Sequence, residues 1–269
     1  MQSNFFINTP NFQEKYYFTT KKEDFIDKNE IYSLAREIGF DDCGFAEIGE
    51  IEEIYRRHFD NWIENGYNAN MQWIERKVDI RFNPKLLLED AKTVVVVLLS
   101  HNLETTPYPK IARYALGEDY HKKIKTKLNI LAEKINANTK ICVDTAPILE
   151  KYWAQKAGLG FIGRNTLFIS PKLGSFCNIG ILLLDIDLNI EAKNPPKNVC
   201  ENCNKCINSC PTKALVAPFT LDCNKCISYQ NQHKTEPNFN YFGWDLGCDI
   251  CQEVCPFNLF GKRRHKNSR

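Results

Sequence analysis

The sequence predicts a mixed α/β (α+β) sheet domain followed by a small cysteine-rich domain. In the first part of the chain, short apolar runs such as 94–99 alternate with segments of helical periodicity, which favours strands packed against helices. In the second part, nine of the twelve cysteines lie after residue 199. We therefore divide the chain into an N-terminal arm (1–29), a sheet domain (30–190), a cysteine-rich domain (191–261) and a basic tail (262–269).

Each element of the sheet domain is predicted from its own pattern. Helices are expected where apolar residues recur every three or four positions, and these segments span 30–38, 51–64, 71–76, 121–135 and 147–157. Pro147 stands at the start of the last of them, where proline is favourable. Strands are expected at the apolar runs 43–48, 92–99 and 141–143, and as a hairpin of 167–170 with 176–185 around the turn sequence 171–175.

The cysteines of the second domain fall into two runs. The first run has the spacing C-x2-C-x2-C-x3-C before Pro211, the bacterial pattern for a [4Fe–4S] cluster, in which the fourth cysteine typically ligates a second cluster. The second run, 248–256, repeats the later part of this pattern but has Asp245 where a complete repeat would have cysteine. The missing ligand has to come from Cys223 or Cys226, which stand between the runs.

We assign the ligands across the two runs, which predicts a ferredoxin-like domain with two clusters. Cluster one takes Cys200, Cys203, Cys206 and Cys255, and cluster two takes Cys210, Cys226, Cys248 and Cys251. Cys223 is left over. Structural zinc is the main alternative, since paired C-x2-C sequences also bind zinc, but zinc does not require this spacing. Disulfides are a third alternative, and no signal for export supports them.

The N-terminus lacks the pattern of a signal peptide, which favours a reducing cytoplasm, and hydropathy favours a chain that does not cross a membrane. The longest apolar runs, 94–99 and 179–184, are too short to cross a bilayer. The formal net charge of +2 counts every cysteine as neutral. Each oxidised cluster with four thiolates carries about −2, so the loaded protein would carry about −2. Nucleic-acid binding would therefore depend on local basic patches.

Asp144 is the best single candidate for acid chemistry, because it follows an apolar strand, where α/β sheets commonly present ligands. From position alone a helix-capping role is favoured for it, and His101 and His121 are more often ordinary polar residues than ligands. The sequence G-x-G-x-x-G at 158–163 follows a helix instead of a strand, so we discount it as a dinucleotide site.

Several motifs together resemble the epoxyqueuosine reductases, cobalamin-dependent iron–sulfur enzymes of queuosine biosynthesis. The matching segments are ARYALGEDYH (112–121), VDTAPILEKYWAQKAGLGFIGRNTLFISPKLGSF (143–176), LDCNKCISY (221–229) and the double cysteine pattern, with a weaker match in MQWIERKVDIRFNP (71–84). The family's lone cluster cysteine, in C-I-S-Y, falls on Cys226. Its proton-donating aspartate, in V-D-[ST], falls on Asp144.

The resemblance implies that residues 30–190 are a cobalamin-binding catalytic domain. Electrons would pass through the clusters to base-off cobalamin, which would reduce the epoxide on the wobble nucleoside of tRNA to the alkene of queuosine. Residues expected to line the corrin are Arg164, Asn165, Thr166, Ser228 and Asp249. The chain resembles a short form without the C-terminal helical extension of many relatives. The partners implied are a tRNA anticodon stem-loop and an external electron donor, and the expected state is a monomer.

Lys262, Arg263 and Arg264 are candidate contacts to RNA phosphates, together with Lys266 and Arg269, although basic termini are common and a solvated tail is an equal alternative. Two rival functions remain: a ferredoxin-type electron carrier, and a corrinoid reductase of a small molecule. A scaffold that has lost its activity is a third. The large sheet domain counts against a carrier, which needs only the clusters, and the intact ligand set counts against a scaffold.

Overall fold

The computed structural model describes residues 26–103, 108–191, 200 and 202–258. Its helices are α1 Lys28–Glu37, α2 Glu53–Glu64, α3 Val78–Phe82, α4 Tyr120–Lys134, α5 Glu150–Lys156, α6 Lys205–Ser209, α7 Ile227–His233 and α8 Ile250–Glu253. Its strands are β1 Asp42–Glu47, β2 Thr93–Ser100, β3 Lys110–Ile111, β4 Thr139–Cys142, β5 Phe161–Ile162, β6 Phe168–Ile169, β7 Cys177–Leu184, β8 Leu215–Ala217, β9 Thr220–Leu221 and β10 Trp244–Leu246. Within these ranges no helix is long and apolar enough to cross a membrane.

The central sheet is antiparallel throughout and has the strand order β1-β2-β7-β4. β2 and β7 lie in the middle because their side chains are apolar on both faces and can be buried on both. The predicted sheet domain is therefore confirmed in its α+β form. Asp144 follows a strand, as expected, and that strand, β4, is an antiparallel edge strand.

Helices cover both faces of this sheet. Successive residues of a strand point to opposite faces, so Val95 and Val97 pack with α1 and α4, whereas Val94 and Val96 pack with α5. The closest approach of α4 is made over Gly180, where a Cβ atom would lie 2.6 Å from Cγ2 of Ile124. The result is a three-layer sheet domain with its two apolar clusters on opposite sides of β2 and β7.

Three sequence predictions about individual elements are corrected by the structure. The expected hairpin does not form, because β6 pairs with β5, and β7 pairs with β2 and β4. A buried central strand such as β7 needs hydrogen-bonding partners for the backbone groups on both of its edges. The helix expected from Pro147 begins only at Glu150, after a bent loop at 143–149. The helix expected at 71–76 is a short 3-10 turn, Gln72–Ile74, followed by α3.

The cysteine-rich segment packs against the sheet domain through backbone as well as side chains. β10 pairs in parallel with β3. The indole Nε1 of Trp62 donates to the carbonyl of Leu221 at 2.7 Å, and the amide of Cys223 donates to the carbonyl of Tyr67 at 2.9 Å. The order predicted from the sequence, a sheet domain followed by a cysteine-rich domain, is thus confirmed. The proposed arm, 1–25 of the expected 1–29, and the tail lie outside the described residues.

A buried polar network joins the end of the cysteine-rich segment to the loop before β7. The amide of Ser175 donates to Oδ1 of Asn258 at 2.7 Å. Nδ2 of Asn258 donates to Oγ of Ser175 at 2.9 Å and to the carbonyl of Gln252 at 2.7 Å. Asn258 is only 4% exposed, so water does not replace these partners.

Replacing Asn258 by Ala should destabilise this junction. The substitution leaves the buried Ser175 amide without its partner, and an unsatisfied buried group costs about 1–3 kcal/mol, whereas the Gln252 carbonyl keeps its bond from the Cys255 amide. We expect a lower urea midpoint for the iron-loaded protein, measured anaerobically by circular dichroism. Asn65→Ala is the matched control, because the Asn65 side chain is exposed and bonds only to the Asn61 carbonyl. Equal midpoints for the two variants would contradict the assigned role of Asn258.

Candidate active site

Four cysteines surround the smaller of two neighbouring cavities. Cys200, Cys203, Cys206 and Cys255 line a space of about 200 Å³, together with Arg164, Asn165 and Lys205. The pKa of the Cys206 thiol is raised by burial and by the nearby Cys200 and Cys203. The pKa of Cys255 is raised by burial and by Cys200 and Cys206. α6 and α8 pack together, which brings the two distant ends of the segment to one site.

The other four predicted ligands line the larger cavity, of about 380 Å³. Burial raises the pKa of the Cys248 thiol to about 12, and the charges of Cys226 and Cys210 add to this. Burial likewise raises the pKa of Cys251, with Cys248, Cys226 and Cys210 among its charged neighbours. The structure therefore brings together the two groups of four cysteines that the crossed pattern predicts.

Cys223 also reaches the larger cavity and is buried. Burial raises the pKa of its thiol to about 12, and the charges that act on it belong to Cys226, Asp222 and Lys151. Its exclusion from the ligand set stays a prediction.

The donor arrangement fits clusters and does not fit single zinc ions. Among the described residues, no three His, Cys, Asp or Glu side chains converge on a position for one metal ion. A cube with four iron corners holds its thiolates farther apart than one zinc ion does, and the smaller cavity has four thiols around it and the larger one five, Cys223 included. Buried thiols with raised pKa values need the positive charge of a metal to be held as thiolates.

The expected corrin-lining residues divide between these cavities. Asn165, Thr166 and Ser228 line the larger cavity, whereas Arg164 lines the smaller one, and Asn165 reaches both. Asp249 lies outside both linings. Its buried carboxylate accepts from the backbone amide of Arg113 at 2.8 Å and from its guanidinium at 3.3 Å. The structure thus gives Asp249 a partner within the protein, and its contact to a cofactor stays a prediction.

Asp144 follows β4 in a left-handed backbone conformation, with φ of 54°. Its Oδ2 accepts from the Tyr120 hydroxyl at 3.1 Å and lies 2.9 Å from Nε2 of His121. The capping alternative is wrong, because α5 begins at Glu150 after Leu149, and no side chain caps it. The Asp144 side chain is 59% exposed.

His121 lies between two carboxylates at the start of α4. Its Nδ1 is 2.8 Å from Asp119, the residue that caps the helix, and its Nε2 contacts Asp144. Partial burial acts to lower the pKa of His121, but the hydrogen bonds to Asp144 and Asp119 outweigh it and raise that pKa above 6.5. Both ring nitrogens therefore face acceptors, which is the arrangement that stabilises the doubly protonated imidazolium.

Glu150 holds the backbone of the Asp144 loop. Its Oε1 accepts from the amide of Asp144 at 2.5 Å. Burial raises the pKa of Glu150 to about 8, and the charge of Asp144 adds to the rise. The hydrogen bond from the Asp144 amide and the charges of Lys151 and His121 act against it. The neighbouring Lys151 donates to the carbonyl of Thr166 at 2.9 Å, which links this loop to the larger cavity.

A second link between the acid site and the larger cavity is aromatic. The Tyr114 ring lines the cavity and meets the ring of Tyr120 edge-on, with centroids 6.5 Å apart. The Tyr114 hydroxyl is buried close to the Ser228 side chain, and burial raises its pKa. The roles of Tyr114, Tyr120 and Glu150 were not found from the sequence. The only signal was that all three fall inside the quoted motif segments, since their contacts to Asp144 and the cavity are made through the fold.

Two cysteine-lined cavities next to a solvent-facing acid site define a two-cluster iron–sulfur oxidoreductase. The family model described as epoxyqueuosine reductase QueG, DUF1730, matches residues 81–145, and the model described as 4Fe-4S double cluster binding domain matches residues 199–258. The chain belongs to the epoxyqueuosine reductase family: the epoxyqueuosine reductase of Leadbetterella byssophila is 40% identical over 247 residues, 87% of this chain and 80% of the relative. The prediction of two [4Fe–4S] clusters is thereby confirmed.

Solved members of the family share this fold. The epoxyqueuosine reductase of Streptococcus thermophilus superimposes with a TM-score of 0.78 at 31% identity, over 86% of this chain and 66% of that one. A crystal structure of epoxyqueuosine reductase with an epoxyqueuosine-modified tRNA-Tyr stem loop gives a TM-score of 0.78 at 29% identity, over 86% and 65%. The chain thus spans just under two thirds of these solved proteins.

Exchanging single cysteines tests the ligand assignment. Cys226→Ser should lose about half of the bound iron, because it removes one of the four thiolates of cluster two. Cys223→Ser is the matched control: it lies three residues away at the same cavity and should keep the parental iron content. Iron and acid-labile sulfide are measured after anaerobic purification. Loss of a cluster in Cys223→Ser with retention in Cys226→Ser would reverse the assignment.

Proposed function

We propose that this chain reduces epoxyqueuosine to queuosine at the wobble position of tRNA. The observation that carries the proposal is the position of Asp144, which joins an acid to the larger cysteine cavity through Tyr120 and Tyr114. Family membership and the tRNA stem loop bound to a solved relative support the choice of substrate. A carrier of electrons alone would have no use for an acid site beside its second cluster.

The crossed cysteine groups hold the two clusters in this proposal. Cys200, Cys203, Cys206 and Cys255 hold the first, and Cys210, Cys226, Cys248 and Cys251 hold the second. Bound clusters supply electrons one at a time. Asn165 reaches both cavities, and its Nδ2 lies 3.5 Å from the carbonyl of Cys251, so it separates the two sites and keeps their spacing.

Cobalamin is the second cofactor that we propose, held at the larger cavity. The lining combines apolar groups with the side chains of Asn165, Thr166 and Ser228, and the buried hydroxyl of Tyr114 adds a polar atom close to Ser228. This mixture suits a large ring that carries amide groups. Arg164 contributes from the side of the first cluster. Bound cobalamin would supply the low-potential electrons that open the epoxide.

Asp144 acts as the proton donor in this scheme. Opening the epoxide leaves negative charge on its oxygen, and a neighbouring acid is needed for that oxygen to depart as water. Tyr120 and His121 fix one oxygen of the Asp144 carboxyl group. The hydrogen bond from the Asp144 amide to Glu150 fixes the backbone of Asp144. The other oxygen, Oδ1, is thereby left to face the substrate from an exposed position.

The proposal includes the partners expected from the sequence. The protein would act as a monomer in the cytoplasm and receive electrons from an external donor. Lys262, Arg263 and Arg264, which lie outside the described residues, would add contacts to RNA phosphates. The sheet domain (30–190) and the cysteine-rich domain (191–261) would fold as the two units described above. Anaerobic purification with iron and cobalamin quantified, followed by turnover of an epoxyqueuosine-containing tRNA, tests the function as a whole.

Asp144→Asn should abolish most of the turnover and leave the fold intact. Asparagine keeps the size and an acceptor oxygen but has no proton to transfer, and losing a general acid costs roughly 10²-fold or more in rate. We expect parental iron content and near-normal cobalamin binding. The matched control is Asp60→Asn, which removes a carboxylate from a surface ion pair with Arg56 on α2. Parental turnover in a loaded Asp144→Asn variant would remove the acid role.

Neutralising Lys262, Arg263 and Arg264 to Gln should weaken tRNA binding and flatten its salt dependence. Each lost phosphate contact lowers the slope of log K against log salt by roughly 0.7–0.9. Filter binding at several salt concentrations measures it. Neutralising three exposed lysines elsewhere, Lys28, Lys85 and Lys134, controls for net charge. An unchanged slope in the tail variant would favour a solvated tail without an RNA contact.

A further inference from the structure

The proposed reaction consumes two protons, and Asp144 holds only one. Converting an epoxide to an alkene and water takes two electrons and two protons: one proton turns the opened epoxide oxygen into a hydroxyl group, and the second lets that hydroxyl leave as water. The electrons come from the external donor through the bound cofactors. The inference below rests on the proposed function, because a second proton has to reach Asp144 within each turnover.

We propose that His121 is the relay that supplies the second proton through Asp144. In the first step Asp144 protonates the opened oxygen and becomes a carboxylate. The Nε2–H of His121, which lies 2.9 Å from Oδ2, then transfers its proton to that carboxylate. Asp144 delivers this proton to the departing hydroxyl group, and water forms. His121 takes up a new proton from solvent before the next turnover.

The surroundings of His121 suit this sequence of transfers. Its side chain is 38% exposed, which allows resupply from solvent, and Asp119 on its other nitrogen stabilises the charged ring. The Tyr120 ring stacks on the imidazole with centroids 3.9 Å apart and keeps it aligned with Asp144. Within the described part of the chain, Glu150 on α5 is a further charged group that acts on it.

Neighbouring groups are less suited to the task. Glu150 contacts the backbone amide of Asp144 and not its carboxyl group, so a proton from it has no direct path. Tyr120 does contact Oδ2, but burial and the charge of Asp144 raise the pKa of its hydroxyl far above neutrality, so it holds its proton. His121 is the group on Oδ2 whose proton is transferable near pH 7.

The pH dependence follows from the required state of His121. The relay needs the imidazolium, and the pKa of His121 is raised, so turnover should be full at lower pH and fall as pH rises through that raised pKa. His121→Gln keeps a hydrogen-bond donor to Asp144 but has no titrating proton. We expect its turnover to fall at least about 10-fold, to lose this alkaline limb, and to recover in part with added imidazole.

Two further variants keep the test independent of folding defects in His121→Gln. Asp119→Asn retains a good helix cap but removes the negative charge from Nδ1, so the alkaline limb should move to lower pH. Tyr120→Phe removes the other bond to Oδ2 and should keep the limb in place. A shift in Tyr120→Phe without one in Asp119→Asn would overturn the relay.

A spectroscopic readout does not depend on activity. The chain has five histidines, so ¹³C-labelled histidine gives few signals, and His121→Gln identifies the one of interest. Its pKa should fall in Asp144→Asn and in Asp119→Asn. If wild-type protein does not turn over epoxyqueuosine-containing tRNA, the proposed function fails. If it does so and His121→Gln retains both the rate and the alkaline limb, the function stands and the relay is overturned.

Discussion

The crossed arrangement of the cysteines is the constraint on which the rest of the structure depends. Each cavity is lined by cysteines from distant parts of the segment 200–258, so neither group of thiols is complete until these parts meet. The meeting places Phe257 on Phe161 and Ile169 of the sheet domain, beside Cys255. Buried thiols with raised pKa values are held as thiolates only by a metal, so assembly of the clusters and folding of this segment are one process.

In the proposed reaction, the groups that carry electrons and the groups that carry protons lie in different surroundings. The Arg113–Asp249 ion pair near the cysteine cavities is buried, with side chains 7% and 1% exposed. Asp144 and His121, by contrast, face solvent. This division has a physical reason. Electrons reach the site through clusters that have to be shielded from water, whereas protons are resupplied by water. Tyr114, Tyr120 and Lys151 connect the two regions over short distances.

The features that could be predicted from the sequence are those encoded locally. Ligand spacing is a property of short loops, so the cysteine groups were found, and the buried strand β2 followed from an unbroken apolar run. The pairing of β7 was not predicted correctly. An apolar strand can pair with several other strands, and its actual partners, β2 and β4, depend on the packing of the whole sheet. The contact of His121 with Asp144 was missed for a similar reason: the two residues are 23 positions apart, and no local pattern reports the contact.

The motif identified Asp144 as the candidate acid. Its backbone conformation and its contacts could not be predicted from the sequence. A residue other than glycine in the left-handed region is strained, and aspartate tolerates that region better than most. The hydrogen bond from the Asp144 backbone amide to Glu150 offsets the strain and is strongest when Glu150 is ionised. Burial, by contrast, favours the protonated form of Glu150. Because that bond lowers the pKa of Glu150, linkage requires the reverse as well: ionising Glu150 tightens the Asp144 loop. The position of the acid is therefore coupled to the charge of a residue that never touches its carboxyl group.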